Sequence, residues 1–310
     1  MVKIKIFKGF NIPQNYYNSI ILIGNFDGVH LGHQKLFKRA REFKKLYKCK
    51  VGVVTFNPMP KMFFNKKLKH FKLMNLSQKI NQFKKQKVDF LINQKFSKSF
   101  SKIEAELFIK NYLNKKIKAK VLFVSNNFRF GYKREGDTGL LKSCQKKYNY
   151  KLIIPRPLKK NKKIISSTEI RKLLSNGNLD KANKYLTRKW EIEGKVEKGR
   201  NVGGKIGFAT CNIDIGNYII AKPGVYSVKA KLDKNKKKIN GIANLGFRPT
   251  FNQNKILLEV NLFNFNRNIY NQKLAVEFIQ FIRSEKKFKS IKELTNQIKK
   301  DIRIAKKSLK

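Results

Sequence analysis

The apolar run Ile20-Ile21-Leu22-Ile23 passes without a break into Gly24-Asn25-Phe26-Asp27-Gly28-Val29-His30-Leu31-Gly32-His33. A helix-periodic stretch follows at once, with Leu36, Phe37, Ala40, Phe43, Leu46 and Tyr47 at helical spacing. A short run that is apolar on every side reads as a strand buried on both faces, and the glycines mark the turn into the helix. Backbone N–H groups and the dipole at a helix start favour anions. His30 and His33 add two imidazoles that can donate to phosphate oxygens, and Gly24, Gly28 and Gly32 leave room for close approach of backbone and ligand. Two of the chain's three histidines fall in this one turn. It is therefore read as a nucleotide-phosphate site, and an ATP-using enzyme is the leading expectation.

The rest of the first half repeats the alternation. Val51 to Phe56, Val88 to Ile92, Val121 to Val124 and Leu152 to Ile154 are short apolar runs separated by polar, periodic stretches. Ser101-Lys102-Ile103-Glu104 has the form of a capping box for a helix carrying Ala105, Phe108, Ile109 and Tyr112. Strands alternating with helices imply a parallel sheet covered on both faces, in which ligands bind at the carboxyl ends of the strands. The character changes near Tyr185 to Glu191. Beyond it, Glu191 to Val196, Tyr218 to Ala221, Gly224 to Ala230, Asn240 to Leu245, Ile256 to Phe263 and Lys273 to Ile282 are regularly spaced strand candidates. They suggest a small antiparallel barrel or sandwich, closed by a helix that opens at Ser290-Ile291-Lys292-Glu293. Two domains are expected, 1–184 and 185–310.

Composition narrows the function classes. The formal net charge of the 310 residues is +53, which taken alone would suggest a polyanionic partner. The lysines, however, are spread through almost every segment together with Asn, Ile and Phe. That is the mark of a general composition bias and not of a basic stripe, so no specific nucleic-acid partner is expected. Cys49, Cys144 and Cys211 form no CxxC pattern and are expected to act as small buried hydrophobes. No run reaches membrane-spanning length, and Met1 to Ile6 alternates like a strand and lacks a signal-peptide core. A cytoplasmic protein without a membrane partner follows, as a monomer or a weak homo-oligomer.

Three further segments fit phosphate chemistry. Ser166-Ser167-Thr168-Glu169-Ile170-Arg171 places hydroxyls at a helix start and a planar guanidinium one turn on. By itself the Ser-Ser-Thr run would be only a helix cap. Ser125-Asn126-Asn127-Phe128-Arg129-Phe130-Gly131 follows an apolar strand, with Asn127 offering donor and acceptors; Phe128 and Phe130 would wall a planar substrate or simply pack. Phe56-Asn57-Pro58-Met59-Pro60 is an ordered turn after another strand, in the site or purely structural. No GxxxxGK[ST] loop accompanies the first strand, which argues against a P-loop phosphotransferase in this half. Direct attack of a phosphate on the α-phosphorus of ATP suits the histidine turn better.

With these segments the chain resembles the prokaryotic bifunctional riboflavin kinase/FMN adenylyltransferases, the FAD synthetases, over nearly its whole length. The resemblance implies a Rossmann-like nucleotidyltransferase domain with a parallel sheet, then a small antiparallel β-barrel domain with a C-terminal helix. It implies that riboflavin becomes FMN in the second domain and FMN becomes FAD in the first, with ATP as co-substrate and Mg²⁺ as metal. His30 and His33 fall on the family's phosphate-stabilising histidines, in the turn that contains Gly24, Phe26 and Gly28. Asn127, Ser167, Thr168 and Arg171 fall on its nucleotide-binding positions. Ser125 stands where the family has glycine, and Met59 where it has histidine.

In the second domain, Gly194 to Gly199 leads into Gly203-Gly204-Lys205-Ile206-Gly207-Phe208-Ala209-Thr210-Cys211-Asn212. The resemblance implies a phosphate-enclosing loop from Gly199 to Gly207 and Mg²⁺ ligands at Thr210 and Asn212. Gly204, Ala209 and Cys211 replace the family's arginine, proline and alanine. They leave open the alternative of adenylyl transfer alone, with a weakened kinase half. Glu259, in Leu257-Leu258-Glu259-Val260-Asn261-Leu262, falls on the family's catalytic base; on residue grounds alone it would equally pair with a lysine. Arg283 is a candidate for the flavin or nucleotide pocket, or a brace of the barrel.

Overall fold

The computed structural model describes residues 4–161, 163–197, 208, 210–233, 237–249 and 254–310. Packing divides the chain into two units. One holds Met1–Lys69 and Leu76–Ser166; the other holds His70–Asn75 and Ser167–Lys310. The division falls earlier than the expected 184/185 boundary. Residues 167–184, expected in the first domain, pack with the second unit, and so does a six-residue piece of the N-terminal half.

The first unit is built on strands β1 (Lys5–Phe7), β2 (Ile20–Ile23), β3 (Val51–Asn57), β4 (Phe90–Lys95), β5 (Val121–Phe123) and β6 (Lys151–Ile153). Their order is β1-β4-β3-β2-β5-β6, with every pair parallel. All of β2 and β5 is buried, as expected for strands covered on both faces. Helix α1 (Leu31–Tyr47) follows β2 and buries Phe37 and Ala40, while α2 (Leu76–Lys85) buries Lys79 and Phe83. A short hairpin, β7 (Lys159–Lys160) and β8 (Lys163–Ile164), completes the unit. From β2 the chain builds outward through β3 and β4, then returns to place β5 on the other side of β2. That reversal is the switch point at which open α/β sheets bind ligands.

Ser101 does not cap the helix beginning at Ala105. The chain turns between them: Ser97 caps a short turn at Lys98–Ser101, and the Ala105 amide donates instead to Glu135 Oε1 at 2.7 Å. The helix then widens over Phe108–Lys116 into i→i+5 bonding, which keeps Phe108, Ile109 and Leu113 in the core.

The second unit opens with helices α3 (Ser167–Ser175) and α4 (Leu179–Leu186). A closed antiparallel barrel follows, formed by β9 (Glu191–Glu197), β10 (Cys211–Asp214), β11 (Gly224–Leu232), β12 (Ile239–Pro249), β13 (Asn254–Leu262) and β14 (Lys273–Ser284), in the order β10-β13-β12-β11-β14-β9. Tyr218–Ala221, expected as a strand, is a packed loop. The Ile219 amide donates to Lys72 O, and just before the segment Asn217 O accepts from the Phe71 and Lys72 amides. Trp190 ties the unit together. Its indole donates to Leu73 O at 3.0 Å, its amide donates to Asn183 Oδ1 at 2.7 Å, and its ring packs on Phe278.

Helix α5 (Ile291–Ser308) starts as expected at Ser290, whose side chain accepts from the Glu293 amide. It lays Ala305, with Leu309 just beyond its end, over Val225 and Ile242 on the outside of the barrel. The attachment is polar as well. Arg283 of β14 meets Asp301 of α5 at 2.8 to 3.1 Å through two nitrogens, and Gln297 Nε2 donates to the same carboxylate at 2.9 Å. Asp301 is 2% exposed, so losing it would strand a guanidinium that is itself mostly covered. Asp301→Ala is expected to destabilise the second unit by about 3 kcal/mol. Urea unfolding followed by Trp190 fluorescence checks this, because the chain's one tryptophan lies in that unit.

Candidate functional site

The turn between β2 and α1 departs from ordinary backbone geometry at three places. Phe26 has φ 46°, Gly28 φ 87° and Val29 φ 38°. A left-handed β-branched residue such as Val29 is costly, on the order of 1–3 kcal/mol, and is held here by full burial. The path brings the chain to His30, the N-cap of α1, with His33 in the first turn. The two imidazoles stack with centroids 3.7 Å apart at 22°. A Cβ at Gly32 would crowd the His30 ring and the Ile165 carbonyl, so the glycine is what allows the stack. Behind it, Phe26 meets His33 edge-on at 5.2 Å and packs on Phe37 and Phe83. Phe26 was expected to bind ligand; at 4% exposure its ring is a wall behind His33.

His33 Nδ1 is buried and makes no hydrogen bond among the described residues. Burial, then the neighbouring His30, then the Lys79 ammonium hold His33 well below the ordinary histidine value of 6.5. The resting ring is neutral. A nearby negative charge would favour the protonated ring.

Asn127 is exposed on the loop that follows β5. Because β5 lies beside β2, the histidine turn and Asn127 follow the two strands that flank the switch point. Gly24 continues the sheet through its amide to Val54 O at 3.0 Å. Ser167 and Thr168 open α3 in the second unit. Arg171 of that helix donates to Phe71 O at 2.7 Å and lies 3.6 Å over the Phe71 ring.

The barrel carries a second constellation. Register places Glu197, Asn212, Glu259 and Asn244 in one row across β9, β10, β13 and β12, hence on one face. Val225 of β11 and Arg283 of β14 continue the row. Val225 packs under α5, so this is the outer face of the barrel. Asn212 is 3% exposed, and its Oδ1 is buried without a hydrogen bond among the described residues. Glu259 directly opposite it is half-buried, and Thr210 lies just before β10. Gly199 and Gly207, expected around the phosphates, lie outside the described residues, as do Gly204 and Ala209.

The FAD synthetase family matches residues 12–169, and the riboflavin kinase family matches 186–309. The chain is 42% identical over 307 residues to the bifunctional riboflavin kinase/FMN adenylyltransferase of Buchnera aphidicola from Schizaphis graminum, covering 98% of each. It is 39% identical to the protein of that name from Haemophilus influenzae, covering 92% of each, and 33% identical to that from Escherichia coli, covering 91% and 90%. This chain belongs to the bifunctional riboflavin kinase/FMN adenylyltransferase family. A crystal structure described as a macrolide-efflux protein from Streptococcus pneumoniae superposes with a TM-score of 0.84 at 28% identity, covering 97% of this chain and 98% of that one. No helix among the described residues is long and apolar enough to cross a membrane. Matches to both halves favour the two-activity reading over adenylyl transfer alone.

Several departures from the family pattern find physical places. Met59 is 3% exposed and precedes a short helix that starts with Pro60, so it packs. Cys211 is buried, its thiol pushed up to about 11 by desolvation, and it fills space as a neutral side chain. Cys49 and Cys144 are only half-buried, contrary to expectation. Arg283 has its fork on Asp301 and donates to Ser284 O, which makes it a brace of α5. Sequence reasoning missed Lys79, whose Nζ donates to Asn25 O at 2.8 Å. One lysine among so many basic residues carries no signal, and only its spacing to the apolar Phe83 hinted at an inward position.

The depressed His33 value has a definite sign. An unfolded chain takes up a proton near 6.5 that folded His33 resists, so stability is complete above that pH and is lost as pH falls below it. The thermal midpoint by circular dichroism should drop between about pH 7.5 and about pH 5.5, and His33→Asn should flatten that slope.

Proposed function

We propose that this chain makes FMN from riboflavin and ATP in its barrel unit, and converts FMN and ATP to FAD and pyrophosphate at the histidine turn. The observation that carries the proposal is the stacked His30/His33 pair at the carboxyl end of β2, beside the sheet's switch point, in a chain that both families match along its length. A cytoplasmic enzyme with small-molecule partners fits this reading.

In adenylyl transfer, an FMN phosphate oxygen attacks the α-phosphorus of ATP and pyrophosphate leaves. Nothing on the protein need become covalently attached; the residues position the reactants and stabilise developing charge. His30 and His33 donate to the departing phosphates, assisted by the α1 amides and dipole. Gly24 and Gly28 keep the turn open to the nucleotide, and Asn127 supplies a polar contact from the neighbouring strand. For Ser167, Thr168 and Arg171 the proposed role is polyphosphate binding. Its support is the family pattern and the hydroxyls at the start of α3.

In the kinase, Glu259 takes the proton from the riboflavin 5′-hydroxyl as that oxygen attacks the γ-phosphorus of ATP. The residues present fit Mg²⁺. A buried carboxamide oxygen without a hydrogen bond among the described residues, Asn212 Oδ1, stands in register with Glu259, and Thr210 adds a hydroxyl. Oxygen donors of this kind suit a metal that completes its shell with nucleotide phosphates. When bound, the ion neutralises phosphate charge during transfer. Gly199 and Gly207 have the proposed role of enclosing those phosphates.

Separate assays of the two products test the assignment. Glu259→Gln should lower FMN formation from riboflavin by about 100-fold or more while FAD formation from supplied FMN persists. His33→Ala should do the reverse, with FAD formation down by about 100-fold and FMN formation retained. An unchanged rate of FAD formation in His33→Ala would remove the role given to the turn.

A further inference from the structure

Helix α2 carries a buried cation, Lys79. Lys79 is 7% exposed in a protein whose other lysines are overwhelmingly at the surface. Its Nζ donates to the carbonyl oxygen of Asn25 at 2.8 Å, and Thr55 Oγ1 approaches the same oxygen at 3.5 Å. One helical turn later, Phe83 packs against the Phe26 ring with centroids 5.9 Å apart. Residues four apart lie on one face of a helix, so a single face of α2 grips two consecutive residues of the turn, one through its carbonyl and one through its ring. Those residues begin the left-handed path over Phe26, Gly28 and Val29 that delivers His30 and His33.

We propose that Lys79 is a positioning residue for adenylyl transfer, holding the Asn25 carbonyl so that the strained turn presents the stacked histidines to the nucleotide. The proposal rests on the reading of that turn as the adenylyl-transfer site. A neutral chain end at position 79 would leave the carbonyl to the weaker Thr55 contact, and the turn would relax away from a geometry it does not prefer. Lys79 acts through the backbone at Asn25, so its loss affects the placement of donors in the transition state more than the capture of substrate. The charge contributes too, since Lys79 is one of the neighbours that keep His33 neutral at rest.

The experiment compares Lys79→Met, Lys79→Arg, Lys79→Gln and His33→Ala in the full chain. FAD formation from FMN and Mg-ATP is measured alongside FMN formation from riboflavin, the latter being an internal standard. Lys79→Met should lower kcat for FAD formation by about 10-fold or more with KM for ATP moved by less than about 3-fold, and Lys79→Arg should recover most of that loss. FMN formation should be unchanged in each Lys79 variant. A wild-type kcat in Lys79→Met, or an effect confined to KM, overturns the proposal when His33→Ala has lost FAD formation. If His33→Ala is itself unaffected, the underlying reading of the turn has failed. Should Lys79→Met lose its far-UV signal, the Arg and Gln variants decide: Arg faster than Gln in kcat by about 5-fold supports the proposal, and equal rates refute it.

Discussion

Two imidazoles stacked at 3.7 Å cannot readily both carry a proton, and much of the first unit is arranged around that constraint. The sheet sets β2 and β5 side by side, parallel, so that the segments after their carboxyl ends start next to one another. The turn takes three left-handed residues to bring the rings together at the start of α1. Gly32 leaves the space that the stack occupies, and Phe26 closes it from behind. The pair sits at the N-terminus of α1, where the backbone amides and the helix dipole favour negative charge.

The barrel solves a different problem by a different route. Its interior is filled by apolar side chains such as Ile213, Leu258, Val228 and Phe278, so polar chemistry is placed on the outer face. There Glu259 is flanked in register by two carboxamides, Asn212 and Asn244. Helix α5 covers the adjoining part of the same face, and the Arg283–Asp301 pair fixes it there. The guanidinium that sequence similarity offered as a ligand is thus occupied by Asp301 of α5.

The central strands and the histidine turn were legible because their signals are local. β2, β3 and β5 are continuous apolar runs since both their faces are buried, and Gly24 to His33 is contiguous in sequence. What escaped detection depends on distant partners. Tyr218–Ala221 has the composition of a strand, yet its Ile219 amide bonds to Lys72 O and its Tyr218 amide to Ile215 O, not to a barrel strand. Ser101 has the spacing of a cap, yet Glu135 from a later loop takes that duty at Ala105. Lys79 is indistinguishable by composition from dozens of solvated lysines; only tertiary packing turns it inward. Glu259 and Asn212 lie far apart in sequence, and register alone makes them neighbours.

The second unit is discontinuous in the chain. Leu73 lies within the short piece His70–Asn75, and its carbonyl receives the indole of Trp190; Asn75 of the same piece donates to Glu193 at 2.9 Å. A C-terminal fragment begun after Leu186 would therefore lack an inner acceptor for its only tryptophan, and would also lack α3 and α4. Excising the barrel as a free-standing module removes part of its own foundation, so the kinase half of this chain is topologically indebted to residues translated long before it.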